Sequence, residues 1–298
     1  MQLNHQTEER LPNYGGQALI EGVLMRGKYN VVGAFRSPQG EIILESEELE
    51  GIYKSKIAKL PFFRGLVILW DSLSLGMKFL TISANVQAEN EEEKIEGGAL
   101  FLTVLLSIAL SISVFFVLPT LLASAINKVF GLSNFSVNVI EGLVRLFLLI
   151  GYLFVIGFSK EIARVFQYHG AEHKTINAYE SGIQLSVENI RNYPLAHARC
   201  GTSFLLTLVL LSIIFFSIMG PMPVTTRIIT RVLFVPLLAM LSYEVIRWMG
   251  NHSNNLIVHT ITTPNLLLQR LTTREPDQEQ IEVALASFNK LLTLENQK

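Results

Sequence analysis

Four apolar segments, each about as long as a membrane-crossing helix, constrain the fold of this sequence more than any other feature. A helix needs about 20 predominantly apolar residues to cross the hydrocarbon core of a bilayer. Half of the 298 residues are hydrophobic and only 16% are charged, so the chain is more apolar than an ordinary soluble domain. The sequence therefore predicts a polytopic α-helical membrane protein with about four transmembrane helices, at 99–122, 139–158, 202–219 and 228–248.

Two of these segments carry charged residues near their ends. Glu141 and Arg145 are one helical turn apart near the start of the second segment, and this spacing predicts an ion pair. Arg231 is near the start of the fourth segment, on the same predicted side of the membrane. Charged residues in membrane segments also mark transport pathways. A transporter or channel is therefore one functional hypothesis, and it is weaker than the two given below because few polar residues lie at the centres of the segments.

The distribution of Lys and Arg predicts how the chain is oriented in the membrane. The connection at 123–138 contains Lys128 as its one basic residue, and the connection at 220–227 contains Arg227. The N-terminal region, the connection at 159–201 and the tail are richer in basic residues. Because basic loops remain cytoplasmic, both termini and the 159–201 connection are predicted to be cytoplasmic. The first ten residues are polar and acidic, so no cleavable signal peptide is expected.

The sequence before the apolar segments predicts a cytosolic β-rich domain at 1–59. Within it, the apolar runs 31–36 and 41–44 flank a Ser-Pro-Gln-Gly turn, a pattern typical of a β-hairpin. The glycines of this domain have an alternative explanation, because they also permit another element to approach the backbone closely. The sequence leaves both explanations open.

Two further regions complete a predicted small cytosolic α+β domain beside the membrane helices. Residues 60–98 are expected to form an interfacial or re-entrant helix followed by an acidic linker, because Arg64, Asp71 and Lys78 make the helix too charged for a membrane span. The tail at 249–298 contains apolar residues at helical spacing, which predicts an amphipathic helix that packs on the cytosolic domain or on a partner.

The strongest chemical motif lies in the 159–201 connection, where two histidines and a carboxylate occur within five residues. His169 and His173 are four residues apart, so a helix places both imidazoles on one face, where they can share a metal ion. The pattern His-x-x-Glu-His is that of inverted zinc peptidases, in which the glutamate, here Glu172, activates water. Such a site needs a third ligand, and Glu244 at the cytoplasmic end of the fourth segment is one candidate.

A second set of ligands is equally consistent with the sequence. His197 and Cys200 are three residues apart and follow the motif, so that His169, His173, His197 and Cys200 can close a tetrahedral site. A site with four protein ligands has no open position and is structural. Glu180 offers a further carboxylate two turns after His173. The non-metal alternatives are that the histidines form hydrogen bonds near the membrane surface, and that the sole cysteine is a small buried residue that forms no internal disulfide.

Three blocks of sequence resemble a known family: YGGQALIEGVLMRG at 14–27, YHGAEHKT at 168–175 and HARCGT at 197–202. In this order they are similar to the domain of unknown function 1385 family, the YqhQ-like bacterial membrane proteins. The resemblance extends over nearly the whole chain and implies a location in the bacterial cell membrane. Members have been described as predicted metal-dependent enzymes. The matching motif positions are His169, Glu172, His173, His197 and Cys200.

These patterns support two main functional hypotheses. In the first, the protein is a cytosol-facing metal-dependent hydrolase that binds zinc or another divalent metal. In the second, it is a non-enzymatic accessory factor that docks on a larger membrane assembly, such as the ribosome or the protein-translocation channel. The lipid bilayer is an expected partner and a homo-oligomer is compatible with the sequence. The net charge of −1 does not favour direct sequence-specific nucleic acid binding.

Overall fold

Four antiparallel strands form a small sheet near the N-terminus. The computed structural model describes residues 14–49, 60–88, 97–197, 200–252 and 255–298. The predicted hairpin is confirmed, because the third and fourth strands pair in antiparallel register with Arg36 opposite Ile42. The strands pair in sequence order and are β1 (Gly15–Leu19), β2 (Gly22–Arg26), β3 (Asn30–Arg36) and β4 (Ile42–Glu48).

Helices cover both faces of this sheet. On one face, α1 (Phe63–Gln87) packs through Phe79, whose ring stacks on Phe35 of β3. On the other face lie α5 (Lys160–Glu180) and α11 (Gln278–Glu295), and their buried apolar side chains share one core with the sheet. The amphipathic helix expected in the tail is therefore confirmed as α11. The His-rich segment, the N-terminal strands and the tail belong to a single packed unit.

The remaining long helices are apolar and pack mainly on one another. These helices, with the short helix α6, are α2 (Gly97–Ile112), a π-helical turn (Ser113–Val117), α3 (Leu118–Phe130), α4 (Asn134–Ile156), α6 (Val187–Arg191), α7 (Gly201–Ser217), α8 (Val224–Leu233), α9 (Val235–Asn251) and α10 (Leu256–Gln269). Within this group, α7 packs against α4, α9 and α10. The short helix α6 lies in the connection between α5 and α7.

Local sequence signals explain where several of these helices begin. The hydroxyl groups of Ser133 and Ser159 accept hydrogen bonds from the first turns of α4 and α5. Asp277 and Gln280 form a reciprocal capping box at the start of α11. Pro236 lies in the first turn of α9, and because proline has no backbone N–H it explains the break between α8 and α9.

Among the described residues, three helices are long and apolar enough to cross a membrane by length and composition, and the number rises to four if a bent pair of helices forms one span. The three are Phe63–Gln87, Leu100–Phe130 and Asn134–Ile156, and the pair is α8 with α9, bent by 44°. The predicted segment at 202–219 corresponds to α7, which has 17 residues and is shorter than the others. The fold is therefore mostly helical, with three to four candidate spans and a small antiparallel sheet.

The helix α1 contacts both the apolar helices and the sheet. Its charged residues favoured an interfacial or re-entrant helix, but the structure shows one continuous helix of 25 residues that is long and apolar enough to be a candidate span. Its first turn lies against α9, where Gly65 approaches Tyr243, and its later turns lie against the sheet. The buried carboxylate of Asp71 pairs with Arg26 of β2, with 2.6 Å between Oδ2 and Nη2. The acidic linker expected at 89–96 lies outside the described residues.

Candidate metal centre

The two motif histidines lie side by side on α5, as the i, i+4 spacing predicts. Their ring centroids are 4.4 Å apart. His173 is buried and His169 is partly exposed. The opposite side of α5 is occupied by Tyr168, Ala171 and other residues that pack on the sheet and on α11. Packing of that apolar side therefore turns the two imidazoles away from the sheet.

Backbone carbonyl groups fix the orientation of both imidazole rings. His169 Nδ1 lies 2.8 Å from the carbonyl oxygen of Thr272, and His173 Nδ1 lies 2.5 Å from that of Leu195. A carbonyl oxygen can only accept, so each Nδ1 carries the hydrogen and donates it. In the neutral ring the lone pair is then on Nε2. This arrangement is the usual outer support of a metal-binding histidine.

Cys200 completes a group of three ligand atoms. Its Sγ lies 3.3 Å from His169 Nε2, and the candidate ligand atoms of His169, His173 and Cys200 all lie within 4.8 Å of one another. Two ligands of one tetrahedral zinc ion, at normal Zn–N and Zn–S bond lengths, are roughly 3.5 Å apart. The spacing of these atoms fits a shared ion. Cys200 is also the N-cap of α7, where its sulfur accepts the N–H of Thr202.

Glu172 places a buried carboxylate beside this group. Its side chain is 6% exposed, and Oε2 lies 3.9 Å from His169 Nε2. Its other neighbour is the backbone of β1, because a Cβ atom on Gly16 would lie 2.8 Å from Glu172 Cγ. Gly16 therefore leaves the space that this carboxylate occupies. Of the two explanations for the N-terminal glycines, close backbone approach applies at this position.

His197 lies next to the group without belonging to it. Its ring centroid is 5.6 Å from that of His173, and its Nε2 is 3.6 Å from Glu180 Oε2. Gln269 at the end of α10 fixes the backbone of His197: its Oε1 accepts the N–H and its Nε2 donates to the carbonyl oxygen. The structure thus brings three of the four ligands of the proposed structural site together and leaves the fourth beside them.

Glu244 is placed elsewhere. It lies on α9, and its carboxylate forms a two-pronged pair with the Arg64 guanidinium, with Arg64 Nε 2.7 Å from Oε1. Its Oε1 also accepts the N–H of Phe62. The carboxylate is therefore engaged between α1 and α9 and is not among the ligand atoms that meet at His169 and His173. Among the described residues, the third candidate ligand beside the two histidines is Cys200 and not Glu244.

The sequence offered no signal for several groups that build the centre. The carbonyl groups of Leu195 and Thr272 orient the histidines, but every residue has a carbonyl group. Gln269 could be recognised only as a polar residue at the end of an apolar helix. Gly170 is visible in the sequence as a glycine inside the motif, and the structure explains it: a Cβ there would lie 2.1 Å from the carbonyl oxygen of Arg274, so only glycine fits.

These features define a class of protein: largely helical, with apolar helices long enough to cross a membrane, a small sheet and a His-Cys cluster. The family model "Protein of unknown function (DUF1385)" matches residues 60–294, and the chain belongs to this family. The chain is also 36% identical over 300 residues to the "Uncharacterized protein YqhQ" of Bacillus subtilis (strain 168), covering 95% of this chain and 93% of that relative. No solved structure matches the chain.

Proposed function

We propose that this protein is a membrane-embedded, metal-dependent hydrolase whose metal centre faces the cytosol. The observation that carries the proposal is that His169, His173 and Cys200 each place one candidate ligand atom within 4.8 Å of the others, beside the buried carboxylate of Glu172. Three protein ligands leave a tetrahedral zinc site one open position, as in catalytic zinc sites. A structural site would instead be closed by a fourth protein ligand.

Each residue of the centre has a defined task in this proposal. The ion, when bound, polarises a water molecule and brings its pKa to about 7. The carbonyl groups of Leu195 and Thr272 keep the imidazoles in the ligating tautomer. Glu172 accepts the proton of the water, because its carboxylate is close to the ligand atoms and is held against Gly16. Its burial keeps bulk water from competing for that proton.

Metal analysis of the purified full-length chain tests the first step. Expression in zinc-supplemented medium should yield roughly one zinc per chain for the wild type. His173→Ala and Cys200→Ser should lose most of it, because each removes one of three ligands. Glu244→Gln is the matched control and should retain the metal, since Glu244 pairs with Arg64. Wild-type protein free of transition metal, or zinc lost as fully in Glu244→Gln as in His173→Ala, would refute this centre.

The variant His197→Ala distinguishes a zinc site with one open coordination position from a site closed by a fourth protein ligand. If the centre is open, His197→Ala retains zinc, because the Nε2 of His197 faces Glu180. If His197 rotates to become a fourth ligand, the same variant loses zinc and the site is structural. Cobalt substitution gives a second measurement, since a four-coordinate thiolate site has a characteristic charge-transfer absorption that responds to an added anion only when one position is open.

Hydrolysis itself is tested with Glu172→Gln. This variant keeps the ligand atoms and the side-chain volume, so its zinc content should equal that of the wild type. A panel of fluorogenic peptides and esters should be cleaved by the wild type and inhibited by a chelator. The variant should be slower by at least about 100-fold, the usual contribution of a general base. Equal rates in the two proteins would remove Glu172 from the mechanism.

The membrane location rests on the three to four apolar helices of sufficient length. Cell fractionation should place the full chain in the membrane pellet, released by detergent but not by alkaline carbonate. Recovery in the carbonate supernatant would contradict integration. A cysteine introduced at exposed Lys298 should be labelled by a membrane-impermeant maleimide only after lysis if the C-terminus is cytoplasmic, with Cys200→Ser as the background.

The accessory-factor hypothesis is a second candidate, and the outer edge of β4 favours it. In the described sheet β4 pairs with β3 alone, and its exposed residues include Glu45 and Glu48. An edge strand with unpaired backbone groups can receive a strand from a partner. Gentle crosslinking followed by purification should recover ribosomal or translocation-channel proteins. Loss of the same proteins on replacing Leu44 by Pro would assign the docking to β4, and an unchanged set would exclude this edge.

A further inference from the structure

A buried cluster of charged residues lies among the apolar helices, apart from the metal centre. Arg231 of α8 and Arg145 of α4 both contact the carboxylate of Glu141, at 2.8 Å and 3.1 Å. Arg231 Nη2 also donates to the Oδ1 of Asn138 at 2.8 Å. The ion pair predicted between Glu141 and Arg145 is thus present, and it is part of a larger network.

This cluster contains more positive charge than its one carboxylate balances. Arg227, one turn before Arg231 on α8, is also buried, so three guanidinium groups accompany Glu141. The sequence at 97–158 and 200–233 contains no other Asp or Glu. Like charges one turn apart destabilise a helix, and removing a charge from water without a counter-ion is costly. An anion bound at α8 would offset both effects.

Two donors of α8, the Nη1 groups of Arg227 and Arg231, face weak or neutral acceptors. Arg231 Nη1 lies 3.7 Å from the thioether sulfur of Met219, and a thioether is a weak acceptor. Arg227 Nη1 lies 3.4 Å from the hydroxyl of Ser124. Arg145, in contrast, donates to three oxygen atoms, including the carbonyl of Phe115 in the π-helical turn. Arg145 therefore has stronger acceptors than the Nη1 groups of Arg227 and Arg231 on α8.

The position of Arg227 makes it the accessible end of the cluster. Arg227 is 8% exposed, compared with 1% for Arg231. It lies in the first turns of α8, whose N-terminal N–H groups have no side-chain cap. Exposed N–H groups at a helix N-terminus favour an anion. Two guanidinium groups on one helix face next to such a terminus suit the several oxygens of a phosphate group.

We propose that Arg227 and Arg231 at the start of α8 form a binding site for a phosphate group, supplied either by a lipid headgroup or by free phosphate. Arg145 and Glu141 position the site: Glu141 pairs with the Nε edge of Arg231 and leaves Nη1 for the ligand. The site is independent of the metal centre, so neither proposal depends on the other.

Thermal unfolding of the full chain in detergent, followed by tryptophan fluorescence, tests the site. One arm adds sodium phosphate against sodium chloride at matched ionic strength. The other adds dioleoylphosphatidylglycerol against dioleoylphosphatidylcholine in mixed micelles. A saturable rise of Tm with phosphate identifies free phosphate as sufficient, and a rise with the anionic lipid alone identifies a lipid headgroup. No rise in either arm for the wild type overturns the proposal.

Arg227→Gln and Lys128→Gln form a matched pair of variants. Each removes one positive charge, but Lys128 is exposed on α3 whereas Arg227 is buried. The apparent affinity should fall about tenfold or more in Arg227→Gln, since a charge-assisted hydrogen bond is lost, and stay within about twofold in Lys128→Gln. Equal losses in both variants would show general surface attraction and refute the site. The wild-type titration decides the proposal even where Arg227→Gln lowers the yield of folded protein.

Discussion

Replacing Gly170 by alanine tests how closely the candidate metal centre is packed. Gly170 lies between the two motif histidines on α5. In the structure, a Cβ at this position would lie 2.1 Å from the carbonyl oxygen of Arg274 and 2.8 Å from Leu195 Cδ2. The first contact is with backbone, which cannot move aside as the tip of a side chain can. The segments that must shift are those that hold His169 and His173 in place.

Two opposing effects set the sign of this substitution. Alanine in place of glycine stabilises a helix interior by about 1 kcal/mol. Overpacking against a fixed neighbour costs about 1–3 kcal/mol, and a contact of this severity lies at the upper end. We therefore expect a net loss of about 1–2 kcal/mol in the free energy of unfolding. The zinc dissociation constant should rise about 10- to 100-fold, the usual effect of disturbing the outer support of metal ligands.

The assay combines thermal unfolding with a zinc titration against a chromogenic chelator. Gly151→Ala in α4 is the control, because a Cβ there meets nothing within 4 Å. It should leave zinc affinity unchanged and stability equal or higher. If Gly170→Ala is as stable as the wild type and binds zinc equally well, the close approach of the 274 carbonyl is not a constraint and the reasoning fails.

Three further substitutions test the unit around the sheet. Glu21 has a pKa below its usual value of 4.5, chiefly through hydrogen bonding to Arg164; this contribution is present at neutral pH and is lost as the pH falls through the lowered folded-state pKa. Glu21→Gln should therefore flatten the acid limb of a stability–pH profile, and an unchanged limb would contradict the pairing. Glu295 accepts hydrogen bonds from the backbone N–H groups of Tyr29 and Asn30 at 2.8 Å. Glu295→Ala should therefore lower the free energy of unfolding, measured by chemical denaturation, by about 1–3 kcal/mol. A loss below about 0.5 kcal/mol, as for ordinary surface changes, would show that these hydrogen bonds do not fix α11 to the sheet. Phe79→Ala should cost about 3–5 kcal/mol, because this ring is buried between α1 and the sheet, and a neutral result would place α1 away from it.

Much of the secondary structure could be predicted because its signals are local. The β3–β4 hairpin, the helical tail and the apolar helices each follow from patterns within about 20 residues of sequence. The common face of His169 and His173 follows from helix geometry in the same way. The bend between α8 and α9 was not predicted, although Pro236 at the start of α9 is consistent with it.

The sequence by itself determined the helical, apolar character of the chain and the pair of histidines, because both depend on spacing along one segment. Only the tertiary structure decided between Cys200 and Glu244 as the third group of the cluster, because Cys200 precedes one apolar segment, Glu244 lies near the end of another, and the choice depends on which helices pack together. It also decided that Gly16 makes room for Glu172. The orientation of the histidines was beyond the sequence for a further reason: the acceptors are backbone carbonyls, which are the same in every residue and become specific only when the fold brings them within hydrogen-bond distance.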